Sequence, residues 1–440
     1  MNFSCGIDFG TTNTSAAIAE QGKEPRLVMV ENDSVTIPTA LFFDEAGKVY
    51  FGREAMQHYM NGDRGRCMRS LKRVLGTDLM SSGTLVNRQV MKFSNILSYF
   101  LKHIKQKIDT AVGDNVEDVI MGRPVHFRDN DTKADIRAQQ ELEMIAKSAG
   151  FKNVEFQFEP IAAAFAHEKQ IEHERLACVI DIGGGTSDFT IIKIGKNLIH
   201  KADRRDDILA SSGVRIGGND FDKDLALECF LPEFGFGGYT TPKTRYDKSI
   251  PLPTSIYHSL AVWSKINTLY VPKEKNLARK MFYSAAEPQK VSRLVETLEK
   301  EQGHTLLSAV EETKIHLTQN ETAKMKLNFL SDKPVIYVDR NSFEESLEND
   351  CQKISSSVEE CLKQAKLNPE DIQLIILTGG STEIPYIQQI MCSHFPMAEI
   401  SQENKLSSVG LGLAYDSARK FMSFNNQVLN DINYGNIATR

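Results

Sequence analysis

The chain has 440 residues, of which 41% are hydrophobic and 25% charged, an ordinary globular balance that excludes a disordered or fibrous protein. Lys and Arg number 52 against 58 Asp and Glu, a formal net charge of −6, so neither nucleic acid nor an anionic membrane is an expected partner. At roughly 100–200 residues per domain the length predicts two to four domains, and with no run of about 18 apolar residues no membrane span is expected.

In chain order, Cys5–Phe9, Ser15–Ala19, Leu27–Val30 and Thr39–Phe43 are short apolar segments parted by polar or Gly breaks, which predicts a meander of strands. No basic start with an apolar core precedes them, so no signal peptide is expected. Helical periodicity follows over 92–112 and 133–149, with Val119-Ile120-Met121 between them as a buried strand. A second half opens near Arg175: Leu176–Ile182 and Phe189–Ile194 read as strands around Gly183-Gly184-Gly185. From about 220 to 320 the pattern is largely helical, with irregular loops expected at 232–256 and 272–288. Phe343, Leu347, Cys351, Ile354, Val358, Leu362 and Ala365 mark one amphipathic helix over 340–366. Gln373–Leu377 is a last buried strand, and Ser423–Arg440 reads as a loosely held polar tail. Alternating strands and helices predict an α/β architecture. The seven cysteines are odd in number and form no C-x-x-C pair, which predicts free thiols in a reducing cytosol.

Two turns stand out because they repeat. Ile7-Asp8-Phe9-Gly10-Thr11-Thr12 matches Ile180-Asp181-Ile182-Gly183-Gly184-Gly185, one at the head of each half, which suggests duplicated lobes. Gly and small hydroxyl residues let backbone N–H groups approach phosphate oxygens. A carboxylate beside phosphates is repelled unless it holds a cation, and hydrated Mg²⁺ suits oxygen ligands. Either turn alone reads better as a capped hairpin; both together, with Asp188 added, favour a phosphate and metal site.

Weaker signals accompany them. Gly379-Gly380-Ser381 leads from a strand into a helix start at Ile384-Pro385, and Gly217-Gly218-Asn219-Asp220 is a second close-approach turn. Glu311, Lys314 and Thr318 share one helix face beside the apolar stripe of Leu306, Val310 and Leu317; a solvated face and a nucleoside contact remain equally open. Lys72 and Glu159 have the chemistry to neutralise a phosphate and to orient a water, yet by spacing alone they read as a surface Lys and a helix N-terminal acid. There is no G-x-x-x-x-G-K-[ST], so no P-loop is predicted. Phe234-Gly235-Phe236-Gly237-Gly238 reads as a loop, and Trp263 as an isolated aromatic.

The ordered series Gly6–Asn13, Leu71–Gly76, Glu159–Ala164, Asp181–Asp188, Ile216–Asp222 and Gly379–Pro385 resembles the ATPase domain of DnaK-type heat-shock chaperones, within the actin-like ATPase superfamily. The resemblance covers about residues 4–420 and is nearest to the short YegD-like branch. It implies a two-lobed actin-like fold of duplicated ribonuclease-H-like domains. The first lobe would be 1–174 and the second 175–420, with a helical insertion at about 220–320 and a tail at 421–440.

It also implies Mg²⁺ and ATP or ADP as cofactors. Gly10, Thr11, Thr12, Asn13 and Gly183, Gly184, Gly185 and Thr186 would cradle phosphates, and Asp8 and Asp181 would hold Mg²⁺. Lys72, Glu159, Thr186 and Asp181 would serve hydrolysis. Gly217, Gly218, Glu311, Lys314, Thr318, Gly379, Gly380 and Ser381 would surround the nucleoside. Where the family stacks two Arg side chains on adenine, this chain has Ile315 and Glu383, which predicts a looser base pocket. The expected protein is a monomeric cytoplasmic ATPase with an unidentified protein partner or co-chaperone. It would lack a peptide-binding domain. A metabolite kinase and an actin-like filament ATPase are the alternatives.

Overall fold

The opening apolar run becomes β1 (Phe3–Phe9), buried from Ser4 to Ile7 on both faces, as suits the centre of a covered sheet. The computed structural model describes residues 3–422 apart from 87–88, 129–130, 169–170, 172, 200, 202, 243–247 and 402–407. The expected tail at Ser423–Arg440 lies outside the described residues.

After β1 come β2 (Asn13–Glu20), β3 (Arg26–Leu27), β4 (Thr36–Pro38), β5 (Ala40–Asp44), β6 (Val49–Phe51) and α1 (Gly52–Met60). Next are β7 (Gly65–Arg69), β8 (Gly83–Val86), β9 (Gln89–Lys92), α2 (Phe93–Val112), β10 (Asp118–Arg123), α3 (Thr132–Ala149), β11 (Asn153–Phe158) and α4 (Glu159–Glu168). The first main sheet runs β11-β10-β1-β2-β3, with β4 also on β2. In it β1 pairs antiparallel with β2 and parallel with β10. Ile96, Leu97, Phe100, Leu101, Ile104 and Ile108 of α2 fall on one helical stripe and are buried in the core behind this sheet.

The second half begins with β12 (Arg175–Ile182), β13 (Ser187–Ile194), β14 (Ile208–Val214) and α5 (Gly218–Leu225). Then follow α6 (Ser255–Leu260), α7 (Pro272–Ser284), α8 (Pro288–Glu299), α9 (Gly303–Gln319), β15 (Thr322–Lys326) and β16 (Val335–Asp339). The chain closes through α10 (Arg340–Ser346), α11 (Glu348–Ala365), β17 (Leu374–Thr378), α12 (Pro385–His394), β18 (Glu399–Ile400) and α13 (Ser408–Phe421). The second main sheet runs β14-β13-β12-β17-β18. Here β12 pairs antiparallel with β13 and parallel with β17, the same pattern that surrounds β1.

The two sheets share packing. One buried cluster joins Ile120 of β10, the apolar face of α4, Val179 of β12, Ile376 of β17, and Val409 and Leu413 of α13. Although α13 comes last, it lies on β1, β2 and β10 of the first sheet and against α4.

Three sequence expectations change. Residues 272–288, expected as a loop, are α7 and the start of α8; Pro272 and Pro288 sit at helix N-termini, where a missing N–H costs nothing. The helix expected over 340–366 breaks at Leu347, which donates to Glu344 three residues back (3.1 Å) before α11 resumes. Leu347 is fully buried, so the apolar period runs through the break unaltered and hides it. Of Leu27–Val30 only Leu27 is strand; Val28 and Val30 are buried without extending it.

Candidate functional site

The turn after β1 is held from outside. Thr39 donates its backbone N–H to the Thr12 carbonyl (2.7 Å) and its hydroxyl to the Gly10 carbonyl (2.9 Å). A side chain on Gly10 would meet the Asn13 carbonyl oxygen at 2.2 Å. The turn between β12 and β13 closes with Gly183 N–H donating to Thr186 O at 3.0 Å. Two further turns are stitched to it. Gly218 N–H donates to Gly183 O (2.9 Å), Asn219 N–H to Gly184 O (2.8 Å), and the Ser381 hydroxyl to Gly183 O (3.2 Å).

The two Asp-Gly turns face each other. A Cβ on Gly184 would lie 2.0 Å from Thr12 Oγ1, so only glycine admits this approach. Among the described residues Thr12 Oγ1 is buried without a hydrogen-bond partner, a donor left for a bound group. Gly379, at φ +83, passes close to Asp181; a Cβ there would meet Asp181 Oδ1 at 2.6 Å.

Charge collects at the mouth of these turns. Lys72 Nζ pairs with Glu159 Oε1 at 2.8 Å, both side chains largely enclosed. Burial, then repulsion from Glu159, pushes the Asp8 carboxyl up to about 7 despite the opposing Lys72 ammonium. Asp181 is held well above the carboxylate range by burial, Glu159, Asp188 and Asp8. Burial works against the Lys72 cation, but Glu159 and Asp8 more than restore it. Carboxylates outnumber the one cation among them, and a divalent ion is what this set lacks. Among the described residues no three His, Cys, Asp or Glu side chains stand close enough to ligate one ion directly. The acids therefore fit a hydrated Mg²⁺ held through its waters.

The other sequence candidates divide. Lys314 bonds the Gly218 carbonyl (3.1 Å) and pairs with Asp222 (2.8 Å), joining α9 to the Gly217-Gly218 turn. A Cβ on Gly218 would meet Ser381 Oγ at 2.7 Å, so Gly217, Gly218, Lys314, Gly379, Gly380 and Ser381 form one surface. Glu311 faces a larger cavity one turn earlier on α9. Thr318 bonds within its own helix, to Ile315 O at 2.7 Å. Thr11 and Gly10 are half-buried, while Asn13 and Thr186 are exposed. Ile315 is 59% exposed.

Sequence reasoning missed Thr39, read only as the start of an apolar segment, and misjudged Trp263. That indole packs against His304 (4.5 Å) and Tyr59 (5.9 Å), and Arg69 stacks on it at 4.4 Å. The partners lie about 200 residues away or come from other helices, so no local pattern announced them. All seven cysteines are free, as expected. Among the described residues no helix is long and apolar enough to cross a membrane.

A family model described as Hsp70 protein matches residues 4–237 and 281–428. The chain is 27% identical over 417 residues to the chaperone protein DnaK of Thermosipho melanesiensis, covering 94% of this chain and 58% of that protein. It is similarly 27% identical over 417 residues to that of Thermosipho africanus and 24% identical over 427 to that of Thermotoga petrophila. The chain thus spans under two thirds of the length of these relatives.

Proposed function

The chain belongs to the Hsp70 family, and from that premise we propose that it binds Mg-ATP between its two main sheets and hydrolyses it. One observation carries the reading: two Asp-Gly turns from separate sheets meet, Gly184 against Thr12, around a partnerless buried hydroxyl and a carboxylate excess. In this reading the two sheets are duplicated lobes of an actin-like fold, about 1–174 and 175–420. They open and close with nucleotide, and a protein partner reads that state. The setting would be the cytoplasm and the unit a monomer. The family match does not favour the metabolite-kinase or filament alternatives.

The roles follow from position. Backbone N–H groups of Gly10–Asn13 and Gly184–Thr186 face phosphate oxygens, the latter in a turn closed by the Gly183 N–H on Thr186 O, with Thr12 Oγ1 gaining the partner it lacks. Asp8 and Asp181 hold the hydrated ion, which when bound supplies charge neutralisation to the phosphates. Lys72 leaves its contact with Glu159 for the terminal phosphate, which frees Glu159 to orient a water beside Thr186. The surface built by Gly217, Gly218, Lys314 and Gly379–Ser381 takes the nucleoside, with Glu311 and Thr318 at its edge.

Calorimetric titration of ATP with and without Mg²⁺ tests this. Asp181→Asn should weaken Mg-ATP far more than metal-free ATP, since a carboxylate orienting the hydrated ion is lost. Equal affinities for both proteins under both conditions would remove the metal assignment.

A further inference from the structure

Beside the phosphate turns lies a cavity of about 480 Å³, within the range of small-molecule sites. Of the residues in the two Asp-Gly turns only Gly185 lines it; Asp8, Lys72, Glu159, Asp181 and Gly379–Ser381 do not. Its walls carry Arg66, Arg69, Arg73 and Arg215 together with Trp263. No hydrogen bond or ion pair engages any of these four guanidinium groups among the described residues.

The acids nearby are largely engaged elsewhere. Asp220 accepts the Gly217 N–H (3.1 Å) and Asp222 pairs with Lys314 (2.8 Å), while Lys223 pairs with Asp224 (3.1 Å); Glu311 also faces the cavity. Arg66, Arg73 and Arg215 are exposed, and singly each would read as a solvated cation. Convergence on one cavity is different, because gathered guanidinium groups repel one another, and among the described residues the nearby carboxylates Asp220, Asp222 and Glu311 make no ion pair with them. Arg69 is also fixed, its face against the Trp263 indole at 4.4 Å, which leaves its N–H groups for an anion. Trp263 lies in the stretch between residues 237 and 281 that the Hsp70 model leaves unmatched.

We propose that this cavity is a second ligand site, for a small molecule bearing two or more phosphate groups. Guanidinium forks match phosphate oxygens two at a time, and several in one cavity suit a chain of phosphates better than a single carboxylate. Two sources share that chemistry. One is a free polyphosphate. The other is the phosphate tail of a nucleotide seated in the adjoining turns, since Arg73 comes within 3.8 Å of a Cβ placed on Gly185.

Trp263 is the single tryptophan, so its emission reports on this cavity. Inorganic tripolyphosphate is titrated into the full chain without nucleotide or metal, read by tryptophan emission and by calorimetry. Saturable binding is expected, weakened tenfold or more in Arg66→Gln and in Arg215→Gln and unchanged in Asp181→Asn. Tripolyphosphate binding that persists under saturating ADP, whose own binding is read in the same calorimeter, separates this site from the nucleotide reading, which can fail on its own. If neither saturating ADP nor adenosine tetraphosphate displaces tripolyphosphate, the source is a free polyphosphate. If adenosine tetraphosphate alone moves the emission and blocks tripolyphosphate while ADP does neither, the source is a nucleotide tail. Absence of both heat and emission change, equal affinity in the Arg variants, loss in Asp181→Asn, or displacement by ADP would overturn the proposal.

Discussion

Lys72 is where the charge balance of the cleft turns. It is the cation that opposes the crowding of Asp8 and Asp181, and it stands 2.8 Å from Glu159. In Lys72→Ala nucleotide should still bind, while single-turnover hydrolysis slows roughly a hundredfold, about 3 kcal/mol of transition-state stabilisation. A wild-type rate would take Lys72 out of the mechanism. The base pocket gives a second residue-scale expectation. Ile315 is 59% exposed on α9, where the resemblance places a cation over adenine. A stacked Arg contributes on the order of 0.5–2 kcal/mol, so Ile315→Arg should tighten ATP roughly two- to thirtyfold. It should leave inorganic triphosphate unaffected; equal gains for both ligands would mean simple charge attraction.

His304 shows how burial writes a pH dependence. Its ring lies 2.9 Å from the Tyr59 hydroxyl and 3.2 Å from the Trp263 carbonyl. Burial, aided by Arg69 and opposed by the Trp263 carbonyl, depresses its pKa to about 4. The folded value lies below the ordinary histidine value, so the unfolded chain binds the proton more readily. The contribution is intact above about pH 6.5 and lost as pH falls towards 4. The stability difference between wild type and His304→Gln should therefore shrink by ~2–3 kcal/mol between pH 7.5 and pH 4.5. A difference constant with pH, measured by denaturant unfolding, would show that His304 is not held neutral.

At the scale of elements, the contact of α13 with the first sheet depends on backbone proximity. A Cβ on Gly412 would stand 1.8 Å from the Ala162 carbonyl oxygen of α4, and one on Gly6 2.4 Å from the Ala414 nitrogen. Backbone atoms cannot swing aside as a flexible side chain can. Gly412→Ala should thus cost ~1–3 kcal/mol through displacement of whole helices, read as a lowered unfolding midpoint. Unchanged stability would mean that α13 sits less tightly than drawn. This dependence explains what the sequence disclosed and what it concealed. The Asp8 and Asp181 turns were legible because their requirement is local: an apolar strand, one acid, then glycine or threonine. The pairing of Gly184 with Thr12, the bracing by Thr39 and the surroundings of Trp263 were not, because each is made by residues far apart in the chain. The break at Leu347 was invisible for another reason, since one buried leucine serves both helices and preserves the period.

At the scale of the molecule, the question is which parts can move when nucleotide binds. The two sheets are joined by a buried cluster, in which α4 touches strands of both and α13 packs on α4 and the first sheet. Prising that cluster apart would expose Ile161, Leu413 and Ile376, each at most 1% exposed, at ~1.5–3 kcal/mol per side chain. The contacts across the cleft are slighter: Thr12 against Gly184, and Tyr59 of α1 against His304 of α9. Opening should therefore pivot on α4 and α13 and break the polar contacts. Hydrogen exchange checks this. Mg-ATP should slow exchange at Gly10–Asn13, Gly183–Thr186 and the start of α9, and leave the interior of α4 and α13 unchanged, because those amides are already protected in the free protein. Wholesale new protection in α4 and α13, with none at the two turns, would place the moving boundary inside the buried cluster.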